Sequence, residues 1–235
     1  MTQRMSVAAG AINKLLSMTK IDLWNETMQR VKSGLIASLL AISFVVSPAL
    51  AAGEPPVQVA EGPYEKIEQI TVDLLDVIEQ HREDYPVNQF AFFAALNSIL
   101  DASVDFRYIA KQVMGPYAKP ASTEQRELFA QAFRDGLVET YGRGLIGYSG
   151  QEMILLNHVD IKPGQRKVVV KQEIRGVDGA YPLAYTMALK KSTGQWMILN
   201  MTINGISLRK TFQSQFLQSA KKLGGDIDQV IAGWK

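Results

Sequence analysis

The chain has 235 residues and no cysteine. That absence excludes disulfides, leaves no thiolate for a structural zinc site, and offers no residue for a lipid anchor. Stability must come from packing alone. Histidine is scarce too, with only His81 and His158 available as an imidazole base or metal ligand. A surplus of one charge is also missing. The formal net charge is +2, and the excess sits at the front, where residues 1–51 hold Arg4, Lys14, Lys20, Arg30 and Lys32 against Asp22 and Glu26. The rest of the chain has 20 basic and 21 acidic residues. Nucleic-acid binding needs a basic footprint to displace counterions from phosphates, and this domain has none. There is no long apolar run either: Leu35 to Val46 is too short to span about 30 Å of hydrocarbon.

That short run has a different reading. Arg30 and Lys32 precede it, and Ala49-Leu-Ala51 follows it with small residues suited to a signal-peptidase site. Residues 28–51 are therefore expected to be an export signal cleaved after Ala51. Residues 1–27 are expected to be an over-extended N-terminus ahead of the true start at Met28. Residues 52–63 form a linker containing proline and glycine, and 64–235 a single domain large enough for a sizeable core.

Within that domain the apolar period is first 3.6 and then 2. Ile67, Ile70, Thr71, Leu74, Leu75 and Ile78 share one helical face, which stops near Tyr85-Pro86. A second helix carries Phe90, Phe93, Leu96 and Leu100. A third opens at the N-cap Asp105 and ends at Gly115-Pro116. Ser122-Thr-Glu-Gln125 has the form of a capping box, opening a long helix with the stripe Phe129, Phe133, Leu137, Tyr141, Leu145 and Tyr148. From Gln151 onward four strands are expected: Ile154 to Ile161, Lys167 to Ile174, Tyr181 to Leu189 and Trp196 to Ile203. Tight connections are expected at Asp178-Gly179 and Thr193-Gly194. Two C-terminal helices, Leu208 to Leu223 and Ile227 to Trp234, complete the pattern. Helices first and an antiparallel sheet second make an α+β fold.

Motifs for chemistry are weak. Gly142-Arg-Gly144-Leu-Ile-Gly147 matches a dinucleotide fingerprint, but it ends a helix and precedes a strand, the reverse of what pyrophosphate binding requires. Gly147-Tyr-Ser149-Gly150 falls one glycine short of a nucleophile elbow, because position 151 is Gln. His158 is expected at an exposed strand or pocket rim, and His81 at a polar helix end. Asp101 and Asp105 share a helix spacing, but capping explains Asp105 more simply. No catalytic or metal residue is assigned. What stands out is an excess of large apolar side chains on one helix and one sheet face. Periodicity fits either a filled core or a dry cavity between the two.

A resemblance separates these alternatives. Val104-Asp-Phe-Arg-Tyr-Ile-Ala110, Val113-Met-Gly115, Ser122 to Gln125, Thr140-Tyr141, Gly194-Gln-Trp196, Asn204-Gly-Ile-Ser-Leu208 and Phe212-Gln-Ser-Gln-Phe216 occur in this order. The string resembles the MlaC, or toluene-tolerance, family of periplasmic phospholipid-binding proteins, across roughly Tyr64 to Trp234. Two departures are local: Tyr117 is followed by Ala118-Lys-Pro, and Asn200 stands where the family usually carries Asp. The resemblance implies helices packed on a curved, nuclear-transport-factor-like sheet, with acyl tails in an apolar cavity between the layers and the headgroup in solvent. It implies a carrier and not an enzyme, with no cofactor. Its partners would be an outer-membrane lipoprotein complex and an inner-membrane ABC transporter with an MCE-domain subunit, and its role would be outer-membrane lipid asymmetry. The residues expected to line the tails are Phe106, Ile109, Val113, Phe129, Phe133, Leu137, Tyr141, Leu145, Tyr148, Val170, Tyr185, Met187, Leu189, Trp196, Ile198 and Ile206. In particular, the Phe133, Leu137, Tyr141 face is expected to oppose the Tyr185, Met187, Leu189 face. A small enzyme on the same architecture and an interaction module with a filled core remain as other readings.

Overall fold

The computed structural model describes residues 61–234 except 157 and 178. The expected leader, the segment before it and most of the linker lie outside the described residues. Among the described residues, six α-helices accompany a five-stranded antiparallel sheet of order β1-β2-β3-β4-β5. Helix α1 (Pro63–His81) begins with proline at its first turn, where the missing amide hydrogen costs nothing. Helix α2 (Gln89–Ser103) is capped by Asn88, and α3 (Phe106–Met114) by Asp105, whose carboxylate accepts from the Tyr108 amide at 3.0 Å. Gly115, at φ +57, ends α3 in a conformation that favours glycine and turns into a short 3-10 segment, Gly115–Ala118. The capping box forms as expected: Gln125 N–H donates to Ser122 Oγ at 3.0 Å, and Ser122 N–H donates to Gln125 Oε1 at 2.9 Å. It opens the 23-residue α4 (Thr123–Leu145).

The strands are β1 (Glu152–Leu156), β2 (Lys167–Gly176), β3 (Gly179–Leu189), β4 (Trp196–Ile203) and the two-residue β5 (Ile206–Ser207), followed by α5 (Leu208–Lys222) and α6 (Ile227–Ala232). Beyond shifts of one or two residues at strand and helix ends, the sheet and the C-terminus depart from the sequence expectation. β1 stops at Leu156 instead of Ile161, because the next segment leaves the sheet and the Val159 amide donates to the Tyr64 hydroxyl. β5 was not expected, since two residues are too few to show alternation. α6 ends two residues early, leaving Trp234 to pack its indole against Phe129 and Phe216.

Three apolar clusters hold these elements together. A helical cluster joins α3, α4, α5 and α6 around Phe106, Val113, Met114, Phe129, Phe133 and Phe216. A sheet cluster joins α1 to Val170, Met187, Trp196 and Ile198 through Tyr64, Ile67 and Ile70. A third sits between α1, α2 and the C-terminal part of α4, around Ile78, Phe92, Leu96 and Val138. Gly142 lets α4 approach α2 closely, since a Cβ there would meet Leu96 Cδ1 at 2.8 Å. Thus Gly142, in the dinucleotide-like pattern, serves helix packing.

Candidate functional site

The strand register defines the sheet face turned towards α1. Met153 and Leu155 of β1, Val168, Val170, Gln172 and Ile174 of β2, Tyr181, Leu183, Tyr185, Met187 and Leu189 of β3, and Trp196, Ile198, Met201 and Ile203 of β4 share it. A β-bulge between Thr186 and Met187 shifts the pairing, so that Met187 stands opposite Ile198 and Tyr185 opposite Met201.

This face has two unlike ends. At one, Val170 and Met187 are fully buried, Trp196 and Ile198 nearly so, all against Tyr64, Ile67 and Ile70 of α1. The α2–α3 junction closes this end as well: Val104 bridges Ile198, and the Asp105 amide donates to the Ile198 carbonyl at 3.1 Å. At the other end, Met153, Ile174 and Tyr181 are only half-buried, while in the row between the two ends Leu183 is buried and Leu155 and Ile203 are half-buried. Leu74 and Leu75 of α1 and Leu145 and Tyr148 at the end of α4 are half-buried too. A set of apolar side chains this large, drawn from several elements and left incompletely covered, is suited to an apolar guest.

Between the two ends a polar chain crosses from sheet to helix. Tyr185 donates its hydroxyl hydrogen to Gln172 Oε1 at 2.8 Å, Gln172 Nε2 donates to Thr71 Oγ1 at 3.0 Å, and Thr71 donates to the Ile67 carbonyl at 2.8 Å. Gln172 is 3% exposed. Burial pushes the Tyr185 hydroxyl pKa up, and that of Tyr141 as well.

The residues expected to line one site do not come together. Phe106, Ile109, Val113, Phe129 and Phe133 belong to the helical cluster, with Leu137 packed on its margin. Tyr141 leaves the stripe and packs edge-on to Phe212 at 6.3 Å. Leu145 and Tyr148 join the third cluster. Val170, Tyr185, Met187, Leu189, Trp196 and Ile198 fall in the sheet cluster. Ile206 is 55% exposed in the edge strand β5, apart from all of them. The two faces expected to oppose each other are therefore in different clusters. A 23-residue helix passes several neighbours, and one stripe along it meets each in turn. Sequence reasoning missed Met153, Ile174, Met201 and Ile203, although the period-2 alternation that selected Tyr185 reaches them too.

The polar candidates are held in structural contacts, although the buried Nδ1 of His81 has no hydrogen-bond partner. Asp101 pairs with Arg134 at 2.9 Å, and Asp105 caps α3. His158, expected in a strand, lies beyond β1, exposed and stacked on Tyr64 at 4.1 Å. His81 closes α1 against Phe92, and the Ser149 hydroxyl accepts from Gln151 Nε2 at 3.2 Å. Asn200 Oδ1 accepts from Ser207 Oγ and from the Arg209 amide, which ties β4 to the start of α5. Elsewhere, a recess of about 590 Å³ is bordered by Lys111, Lys119, Arg126, Gln112 and Gln213. Its cationic rim is unsuited to acyl tails. Among the described residues no helix is long and apolar enough to cross a membrane, and no cluster of candidate ligands could hold a metal.

Comparison with known proteins agrees with this architecture. The toluene tolerance protein ttg2D of Pseudomonas putida is 34% identical over 177 residues, covering 74% of this chain and 80% of that one. The intermembrane phospholipid transport system binding protein MlaC of Haemophilus influenzae is 25% identical over 131 residues, covering 54% and 59% of the two chains. Among solved structures, a phospholipid-binding protein of Ralstonia solanacearum in complex with a phospholipid superposes with a TM-score of 0.63 at 20% identity, over 72% of this chain and 96% of that one. The family described as MlaC protein matches residues 68–235, most of the chain, and the chain belongs to that family.

Proposed function

We propose that this protein is a periplasmic phospholipid carrier. Acyl tails lie against the half-buried end of the sheet's inner face, and the headgroup stays in solvent. The observation that carries this reading is the unequal burial of that face: closed around Met187 and Val170, incompletely covered around Met153, Ile174 and Tyr181. The names of the Haemophilus and Ralstonia proteins, which speak of phospholipid transport and binding, support it. The carrier would receive and deliver lipid between an outer-membrane lipoprotein complex and an inner-membrane ABC transporter with an MCE-domain subunit, and so maintain outer-membrane lipid asymmetry. The export signal expected over residues 28–51 supports the compartment.

The energetics suit a shuttle. Each buried methylene is worth about 0.8 kcal/mol, so two chains of roughly 15 carbons favour an apolar site over water by about 20 kcal/mol. A membrane offers the tails the same gain, so transfer between bilayer and carrier is close to neutral and runs both ways. The carrier reading assigns no hydrolysis.

Lipid extraction and mass spectrometry of purified protein test the proposal. Intact phospholipid in stoichiometric amount is the expected result. Lysophospholipid and free fatty acid accumulating with time would indicate an enzyme. Protein that stays empty when incubated with phospholipid vesicles would favour the second reading, an interaction module with a filled core, which the tightly packed helical cluster supports.

A further inference from the structure

We infer that the buried chain Thr71–Gln172–Tyr185 is the end-stop of the acyl site and sets which tail lengths the protein accepts. The inference rests on the carrier reading and names the residues that give that site its chain-length preference.

Gln172 sits on the inner face with Leu155 opposite it on one neighbouring strand and Leu183 on the other. It is 3% exposed, and an aliphatic residue would satisfy this position if the need were only to fill space. Instead its amide links two layers. Nε2 reaches Thr71 on α1 at 3.0 Å, Oε1 takes the Tyr185 hydroxyl from β3 at 2.8 Å, and Thr71 is itself fixed to the Ile67 carbonyl. The chain spans the gap between helix and sheet at the point where burial changes. Beyond it, Val170 and Met187 are fully buried in the cluster with Ile67; before it, Met153, Ile174 and Tyr181 of the next row are half-buried.

A tail advancing along the half-buried rows meets this bridge end-on. To go further it must break the hydrogen bonds of the buried Gln172 amide, and then displace close-packed side chains. One more methylene gained in apolar contact does not offset that loss. Tails that reach the bridge are therefore held in full, while longer ones must leave their excess near the mouth of the site.

Vesicles containing equal amounts of dimyristoyl- and distearoyl-phosphatidylcholine, incubated with the purified protein, read this out as the ratio of long to short lipid bound, measured by native mass spectrometry. All proteins draw on the same vesicles, so the membrane contribution cancels between variants. Gln172→Ala removes the bridge and leaves apolar space. It is expected to raise the long-to-short ratio about tenfold over the native protein, the factor that one hydrogen bond of ordinary net strength represents. Thr71→Val and Tyr185→Phe each remove one link with little change of shape, and a smaller rise in the same direction is expected. A ratio identical in the native protein and in all folded variants, with lipid still bound, would overturn the end-stop and leave the carrier intact. Failure of the native protein to take up either lipid would overturn the carrier reading and the end-stop with it. If Gln172→Ala does not fold, an unchanged ratio in both other variants is sufficient to reject the inference.

Discussion

The helical cluster and the inner face of the sheet are built from similar residues and packed to different ends. Around Phe129, Phe133 and Phe216, rings meet at centroid distances of 4.8 to 6.0 Å, and each of these side chains is at most 1% exposed. Trp234 closes the cluster from the C-terminus at 5.1 Å from Phe129. The far row of the sheet has no such closure, and Met153, Ile174 and Tyr181 keep part of their surface free. Apolar content is therefore a poor guide to a binding site. What distinguishes one is whether the elements that should cover the apolar surface reach it. α4 spends its apolar stripe on α3, α6 and α2, leaving little for the sheet.

This contrast can be broken most directly where packing is tightest. Phe133→Ala is expected to cost about 3–5 kcal/mol of folding stability, the range for removing a fully buried ring. Chemical denaturation measures it. A loss below 1 kcal/mol would mean that the helical cluster relaxes freely and is itself cavity-like.

A matched pair of enlargements sharpens the comparison. Leu137→Trp, at the margin of the helical cluster, is expected to overpack and cost about 1–3 kcal/mol while bound lipid stays the same. Ile174→Trp, on the half-buried row, is expected to change stability by less than about 1 kcal/mol and to lower bound lipid. The opposite assignment of effects would move the acyl site from the sheet to the long helix.

Ser122→Ala removes half of the capping box and is expected to cost about 1 kcal/mol, read as a lower denaturation midpoint with lipid load unaltered. This variant is a control. Lipid loss here would show that load follows global stability and not local space.

The smallest effect is confined to alkaline solution. Burial holds the Tyr141 hydroxyl above its ordinary pKa of 10, so the folded chain keeps a proton that the unfolded chain releases. Stability is therefore unaffected below pH 10 and falls above it, as the unfolded state ionises first. Tyr141→Phe should flatten that fall in urea midpoints taken between about pH 9 and pH 11. An equally steep fall in the variant would assign the alkaline loss to another group, with the buried Tyr185 hydroxyl next in line.

Local features were legible in the sequence because they are decided locally. Ser122 and Gln125 are three residues apart and can only meet by closing a helical turn, so the capping box and the start of α4 followed from spacing. Asp105 and Gly115 bounded α3 in the same way, and alternation in β3 placed Tyr185 and Met187 on one face. The ordered motifs placed the chain in its family, and with it an α+β fold. Tertiary structure decided what covers each apolar face. Phe133 and Tyr185 carry no mark of which partner they meet, since contact with α3 or with α1 depends on how whole helices cross. Gln172 reads as an ordinary polar residue in an alternating strand until α1 brings Thr71 to within 3.0 Å of it. Hydrophobic attraction is non-directional, so the sequence specified that these surfaces would be buried. Only the packing of the helices fixed which were filled and which were left partly open.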